Sequence, residues 1–218
     1  MKNVVIVDYG MGNLLSVQRA FEHCNARVKI ANSPAQIEKA EFLVLPGVGA
    51  FADGMRELES RGLVKPIRAF AKTGRPFLGI CLGMQMMLET SEEFGIYDGL
   101  SLIPGKVVMI AKNGPDGTFH KIPHIGWNSL LPLHDNGDWD NTILHGISPG
   151  ESVYFVHSFS AVPAHPQNDL ADCSYNGLRL CAAIQSGNVY GCQFHPEKSS
   201  STGLRIIKNF LKIQPLHQ

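Results

Sequence analysis

Two hydrophobic patterns alternate along the N-terminal half of the chain. Val4-Val5-Ile6-Val7, Phe42-Leu43-Val44-Leu45 and Pro76-Phe77-Leu78-Gly79-Ile80 are short, unbroken apolar runs. Runs of that length and composition predict strands buried on both faces. Arg27-Val28-Lys29-Ile30 predicts a further strand. Between these runs, residues 14–24, 50–59 and 64–72 have the spacing of amphipathic helices. Ser33-Pro34 supplies an N-cap and first-turn pair for a shorter helix ending near Ala40. Strands alternating with helices at this spacing predict an open, mostly parallel α/β sheet with helices on both faces. Ligands in such sheets bind outside the carboxyl ends of the strands. Two glycine-rich turns fall at such ends, Gly10-Met11-Gly12-Asn13 and Pro46-Gly47-Val48-Gly49.

The pattern changes after about Leu100, where glycine and proline become frequent. Short β-like runs follow, at 106–110, 125–127 and 153–156. Asn176-Gly177 predicts a two-residue hairpin turn, and Ser186-Gly187-Asn188 a second. The second turn would pair 181–185 with 189–194. Residues 204–211 predict a closing helix. No repeat or linker divides the chain, so a single domain over 1–218 is expected.

Composition narrows the function classes. Lys+Arg and Asp+Glu are equal at 19 each in 218 residues, so no basic footprint for nucleic acid stands out. The apolar runs are too short to span a bilayer, and because Met1-Lys2-Asn3 leads directly into a strand no signal peptide is expected. Five cysteines without a C-x-x-C pair predict reduced thiols in a cytoplasmic protein. His120 and His124 are four apart, but Pro123 breaks the helix a metal pair would use. Gly10-x-Gly12 lacks a third glycine at position 15, which is Leu, and no phosphate-binding P-loop occurs. No metal and no cofactor is expected.

Candidate chemistry centres on Gly79-Ile80-Cys81-Leu82-Gly83-Met84-Gln85. A cysteine flanked at two residues by glycines, after an apolar strand and before the helix-like stretch 84–89, is a nucleophile-elbow pattern. A helix N-terminus behind the sulfur would favour thiolate. Far along the chain, Phe194-His195-Pro196-Glu197 follows another apolar strand. His195 and Glu197 point to one side of an extended chain. They have the residue types of a base and the group that orients it.

Taken together, the elbow, the His195-Pro196-Glu197 segment and the Pro46 to Gly49 turn resemble the class I glutamine amidotransferases, whose motifs they match in order over nearly the full chain. That family's flavodoxin-like fold, with β-hairpins added in the C-terminal half, is then expected. The resemblance implies that Cys81 attacks the side-chain amide of glutamine, that His195 is the base and that Glu197 orients it. It implies backbone oxyanion donors at Val48, Gly49 and Leu82, and substrate contacts at Gly49, Gln85, His157, Ser158 and Phe159. Phe159 departs from the tyrosine common in relatives.

Five segments, 8–14, 81–85, 123–128, 154–158 and 195–199, resemble most the branch that supplies ammonia to a cyclase partner in histidine biosynthesis. The implied partner is a (β/α)₈ barrel in a heterodimer. Candidate docking residues are Gly10, Met11, Gly12, Asn13, His124, Trp127, Asn128 and Lys198. Another class I amidotransferase, or a non-catalytic regulatory protein on the same fold, remains the alternative.

Overall fold

The computed structural model describes residues 1–114, 117, 119–133 and 139–216. The first part runs β1 (Lys2–Val7), α1 (Leu14–His23), β2 (Ala26–Ala31), α2 (Pro34–Glu38), β3 (Phe42–Gly47), α3 (Phe51–Ser60), α4 (Val64–Ala71), β4 (Phe77–Cys81) and α5 (Leu82–Gln85). Then come β5 (Thr90–Ser91), β6 (Tyr97–Asp98), β7 (Gly105–Met109), β8 (His124–Ser129), β9 (Ser152–His157) and β10 (Phe159–Pro163). The chain closes with β11 (Asp169–Tyr175), β12 (Leu178–Ser186), β13 (Val189–Cys192) and α6 (Ser200–Phe210).

The main sheet has the order β11-β12-β13-β4-β3-β1-β2. Strands β13, β4, β3, β1 and β2 are parallel, and β12 and β11 extend the edge antiparallel. Strand alternation sends side chains to two faces. Val4, Ile6, Phe42 and Val44 face α1 and α6, where Phe42 and Phe21 each meet Phe210 edge-on. Val5, Val7, Leu43 and Leu45 face the other side, packed with Phe51, Leu58, Ile67 and Phe70 of α3 and α4. The unbroken apolar runs are explained by these two cores. Smaller sheets, β10-β7-β5-β6 and β8-β9, flank the carboxyl end. Among the described residues no helix is long and apolar enough to cross a membrane.

Register places the site. Gly47 pairs with Cys81, and Cys192 with Ile80. The carboxyl ends of β3, β4 and β13 therefore lie side by side. These ends carry the Pro46 to Gly49 turn, Cys81 and the segment leading to His195.

Three local expectations need correction. The helix expected over 84–89 is only the four-residue α5. The carbonyls of Met86, Met87 and Leu88 accept N–H groups from Leu100, Leu102, Ile103 and Ser101 instead of continuing a helix. The closing helix starts at Ser200 rather than Leu204, because its polar first turn, Ser-Ser-Thr, has no apolar periodicity. Finally, β5, β6, β10 and β11 extend beyond the strands the pattern predicts. Both hairpin turns are present, and Asn176 and Gly177 have φ of 48° and 82°, as a two-residue turn of this hand requires.

Candidate active site

Cys81 ends β4 with φ 54° and ψ −112°, a left-handed conformation that non-glycine residues rarely adopt and that stores strain. The elbow's glycines serve a different purpose, close approach. A Cβ on Gly83 would sit 1.7 Å from the Leu45 carbonyl oxygen, and one on Gly79 would sit 2.8 Å from backbone atoms of Gly83 and Met84. The sharp turn thus lays α5 directly against β3 and β4. Since α5 has only one turn, its dipole adds less at the sulfur than a full helix would.

His195 is anchored by its own backbone N–H, which donates to the Tyr154 carbonyl at 2.9 Å. Ser199 Oγ donates to the His195 carbonyl at 2.6 Å and accepts from Tyr154 N at 3.0 Å. On the ring, Nδ1 lies 2.7 Å from Glu197 Oε1, with the two side chains only 4% and 2% exposed. A carboxylate can only accept, so Nδ1 carries the proton and Nε2 is the basic nitrogen. Nε2 is buried with no hydrogen-bond partner among the described residues. Burial pulls the imidazolium down, but interaction with the Cys81 sulfur and the Glu197 carboxylate outweighs it and raises the pKa to about 9.

A cavity of about 440 Å³ opens over the sulfur, lined by Val48, Gly49, Cys81, Gln85, Glu93, Phe94, Pro123 and the 156–159 segment. Its lining includes the positions expected from sequence to touch substrate, Gly49, Gln85, His157, Ser158 and Phe159, as well as Leu82. Gly49 has φ 107°, and a Cβ there would meet Met11 Cε at 2.7 Å. Met11 therefore packs over the glycine turn. The Tyr9 hydroxyl lies against Gly47 and is fully buried. Its ionisation is pushed well above the usual range by burial and then by charge on Cys81.

A buried polar chain lies beneath the cavity. The Phe159 carbonyl accepts from His157 Nδ1 at 2.8 Å and from Gln85 Nε2 at 3.1 Å. With Nδ1 donating, His157 Nε2 must accept, so His124 Nδ1 donates to it at 3.0 Å. His124 Nε2 in turn faces Asn128 Nδ2 at 3.3 Å. Burial lowers both histidines to about 4, with His195 and His124 further disfavouring charge on His157. Both are neutral at pH 7. Unfolded imidazoles bind protons as pH falls through about 6.5 while these do not. Folding stability is therefore expected to drop between pH 6.5 and 4, by roughly 3 kcal/mol for the deeply buried His157 alone. Urea midpoints across that window measure it. His195 has the opposite sign: its raised pKa contributes stability below about 6.5 that is lost as pH rises through 9.

Three contributors were not legible in sequence. Glu93, buried at the cavity wall, accepts the Phe51 N–H at 2.6 Å. Phe94 is 83% exposed and meets Phe159 edge-on at the mouth. Gln193 is fully buried beside Cys81. Only Gln193 carried a signal, a polar residue inside an apolar strand before His195.

Among the docking candidates, Trp127 is 55% exposed, and Gly10, Asn13 and Lys198 are exposed. Asn13 also caps α1 by accepting Ser16 N–H at 3.3 Å. Met11, Gly12 and Asn128 are partly buried. The expectation that His124 belongs to a docking face is not met: its side chain is buried against Phe155 and Tyr175 and bonded to His157. The four cysteines other than Cys81 are free and buried. Burial pushes all four thiols up.

A family model described as glutamine amidotransferase class-I matches residues 5–213. The chain is 55% identical to the imidazole glycerol phosphate synthase subunit HisH 1 of Legionella pneumophila (strain Paris), over 98% of this chain and 100% of that protein. It is 47% identical to the HisH subunit of Syntrophotalea carbinolica, over 95% and 98%. The solved structure of PurLQS from Thermotoga maritima shares the fold at a TM-score of 0.69 and 20% identity, covering 97% of this chain and 98% of that one. With a match that runs from β1 to beyond α6, the chain belongs to the class I glutamine amidotransferases.

Proposed function

We propose that this chain is the glutaminase subunit of an imidazole glycerol phosphate synthase. In this reading it is one cytoplasmic domain over 1–218 that hydrolyses glutamine and delivers ammonia to a cyclase in histidine biosynthesis. The observation that carries the reading is the buried His195–Glu197 pair beside a cysteine on a strained elbow, in a chain 55% identical to a HisH subunit.

Cys81 attacks the glutamine side-chain amide carbon. His195 Nε2 takes the thiol proton and returns it to the departing ammonia. Glu197 holds the ring in the tautomer that leaves Nε2 basic. N–H groups of Leu82, Val48 and Gly49 are the donors this reading assigns to the oxyanion, where one donor is typically worth about a hundred- to a thousand-fold in rate. Water then cleaves the Cys81 thioester to glutamate. Gln85, His157, Ser158 and Phe159 bound the substrate.

Glu93 is the acid at the cavity wall, so it pairs with the α-ammonium of glutamine. Glu93→Gln keeps an acceptor for Phe51 N–H but removes the charge. We expect KM for glutamine to rise roughly ten- to a hundred-fold, the worth of a charged hydrogen bond, with kcat little changed. Steady-state kinetics read the split.

Released ammonia must avoid water, where it would be protonated. The partner is a cyclase with a (β/α)₈ barrel, docked over Gly10 to Asn13, Trp127, Asn128 and Lys198 in a heterodimer. Mixing the chain with such a cyclase and its nucleotide substrate tests the reading. Glutamate release is expected to rise well above that of the isolated chain, with cyclised product forming from glutamine. No binding and no stimulation would overturn it.

A further inference from the structure

We propose that Gln193 is a catalytic residue: its carboxamide N–H donates to the Cys81 sulfur, stabilising the negative charge that the sulfur carries once His195 has taken its proton and again when the thioester breaks. The proposal rests on the glutaminase reading for the second half of that statement only.

Carboxamide orientation is ambiguous when considered alone, but here it is forced. The Phe159 carbonyl can only accept, so the Gln85 NH₂ group faces it, at 3.1 Å. The same Gln85 nitrogen lies 2.9 Å from one end of the Gln193 carboxamide. That end must therefore be Oε1, which turns the Gln193 NH₂ group toward Cys81, with Nε2 3.7 Å from Sγ. The backbone is fixed as well, since Gln193 N donates to the Ala182 carbonyl at 2.9 Å.

Gln193 has no exposed surface and occupies a strand end otherwise made of Cys192 and Phe194. A carboxamide in such a place is costly unless its donors and acceptor are satisfied. Oε1 is satisfied by Gln85, and Nε2 by the sulfur. A thiol is a weak acceptor, whereas a thiolate is a strong one. The buried donor is thus better satisfied when Cys81 is ionised. When water opens the thioester, sulfur leaves with the electron pair of the C–S bond, and the same N–H meets the returning charge.

Gln193→Met keeps volume but has no donor. Gln193→Asn keeps a carboxamide that falls one methylene short, and it serves if the Met variant folds poorly by circular dichroism. The probe is iodoacetamide, with the Cys81 peptide quantified by mass spectrometry across pH, without glutamine or partner. We expect Cys81 alkylation at pH 7 to slow about ten-fold or more, the scale of a hydrogen bond to a charged group, and its profile to move to higher pH. For glutamine hydrolysis we expect kcat to fall ten- to a hundred-fold with KM within two-fold. An alkylation profile in a folded variant that overlays the unsubstituted chain overturns the proposal. A shifted profile in a chain whose unsubstituted form hydrolyses no glutamine even with the cyclase and its substrate supports the contact with sulfur and instead sinks the functional reading.

Discussion

Cys81→Ala is expected to reduce glutamine hydrolysis by at least about ten-thousand-fold, the scale seen when a catalytic nucleophile is removed. The complex with the cyclase should still make product from ammonium salts at near-normal rate. The reason is a division of labour. Cys81 supplies the atom that forms the thioester, and nothing else in the cavity replaces it: the other four cysteines are buried, and burial holds their thiols protonated. The alanine variant leaves the His195–Glu197 pair and the cavity wall in place. It therefore separates the chemistry of ammonia release from the docking that delivers it. Retained glutamate production would refute the assignment of Cys81. Loss of ammonia-dependent synthesis would place Cys81 in the partner's chemistry as well.

Gly83→Ala should be more damaging to the fold than any side-chain truncation in the site. The new Cβ would lie 1.7 Å from the Leu45 carbonyl oxygen and 2.8 Å from its carbon. Those are backbone atoms of a central strand, held by ladders to β1 and β4. Close-packed interiors transmit such an overlap instead of absorbing it. We expect destabilisation of about 4 kcal/mol or more, the range reserved for severe backbone or packing conflicts, together with loss of activity as the elbow shifts. Urea denaturation measures the first and glutamate release the second. Gly62→Ala is the control. Its φ is +65°, but nothing lies within 4 Å of the added carbon, so the cost is the conformational one alone, about 1 kcal/mol. Comparable stability for the two variants would show that close approach is not what glycine provides at position 83.

Local pattern determined a great deal about this protein. The apolar runs at 4–7, 42–45 and 76–80 became β1, β3 and β4, because a strand buried on both faces must be apolar at every position. Cys81 between two glycines, and His195 two residues from Glu197, could be read as chemistry because each motif lies within a few residues. Where a neighbour far along the chain decides, pattern is silent. The stretch after Cys81 has helical composition, yet the 99–103 segment takes its carbonyls. His124 looked like a surface residue in the 123–128 segment, but β9 buries its ring on His157. Glu93 belongs to the cavity only because α3 begins beside it. Gln85 and Gln193 are 108 positions apart and meet through the adjacency of β13 and β4. A neutral amide has no local signature, and its orientation is set by whichever carbonyl or sulfur the fold brings within hydrogen-bond reach. The sequence by itself therefore determined the reacting atoms, and the tertiary structure decided which polar groups hold them, since burial and hydrogen-bond direction depend on the whole chain.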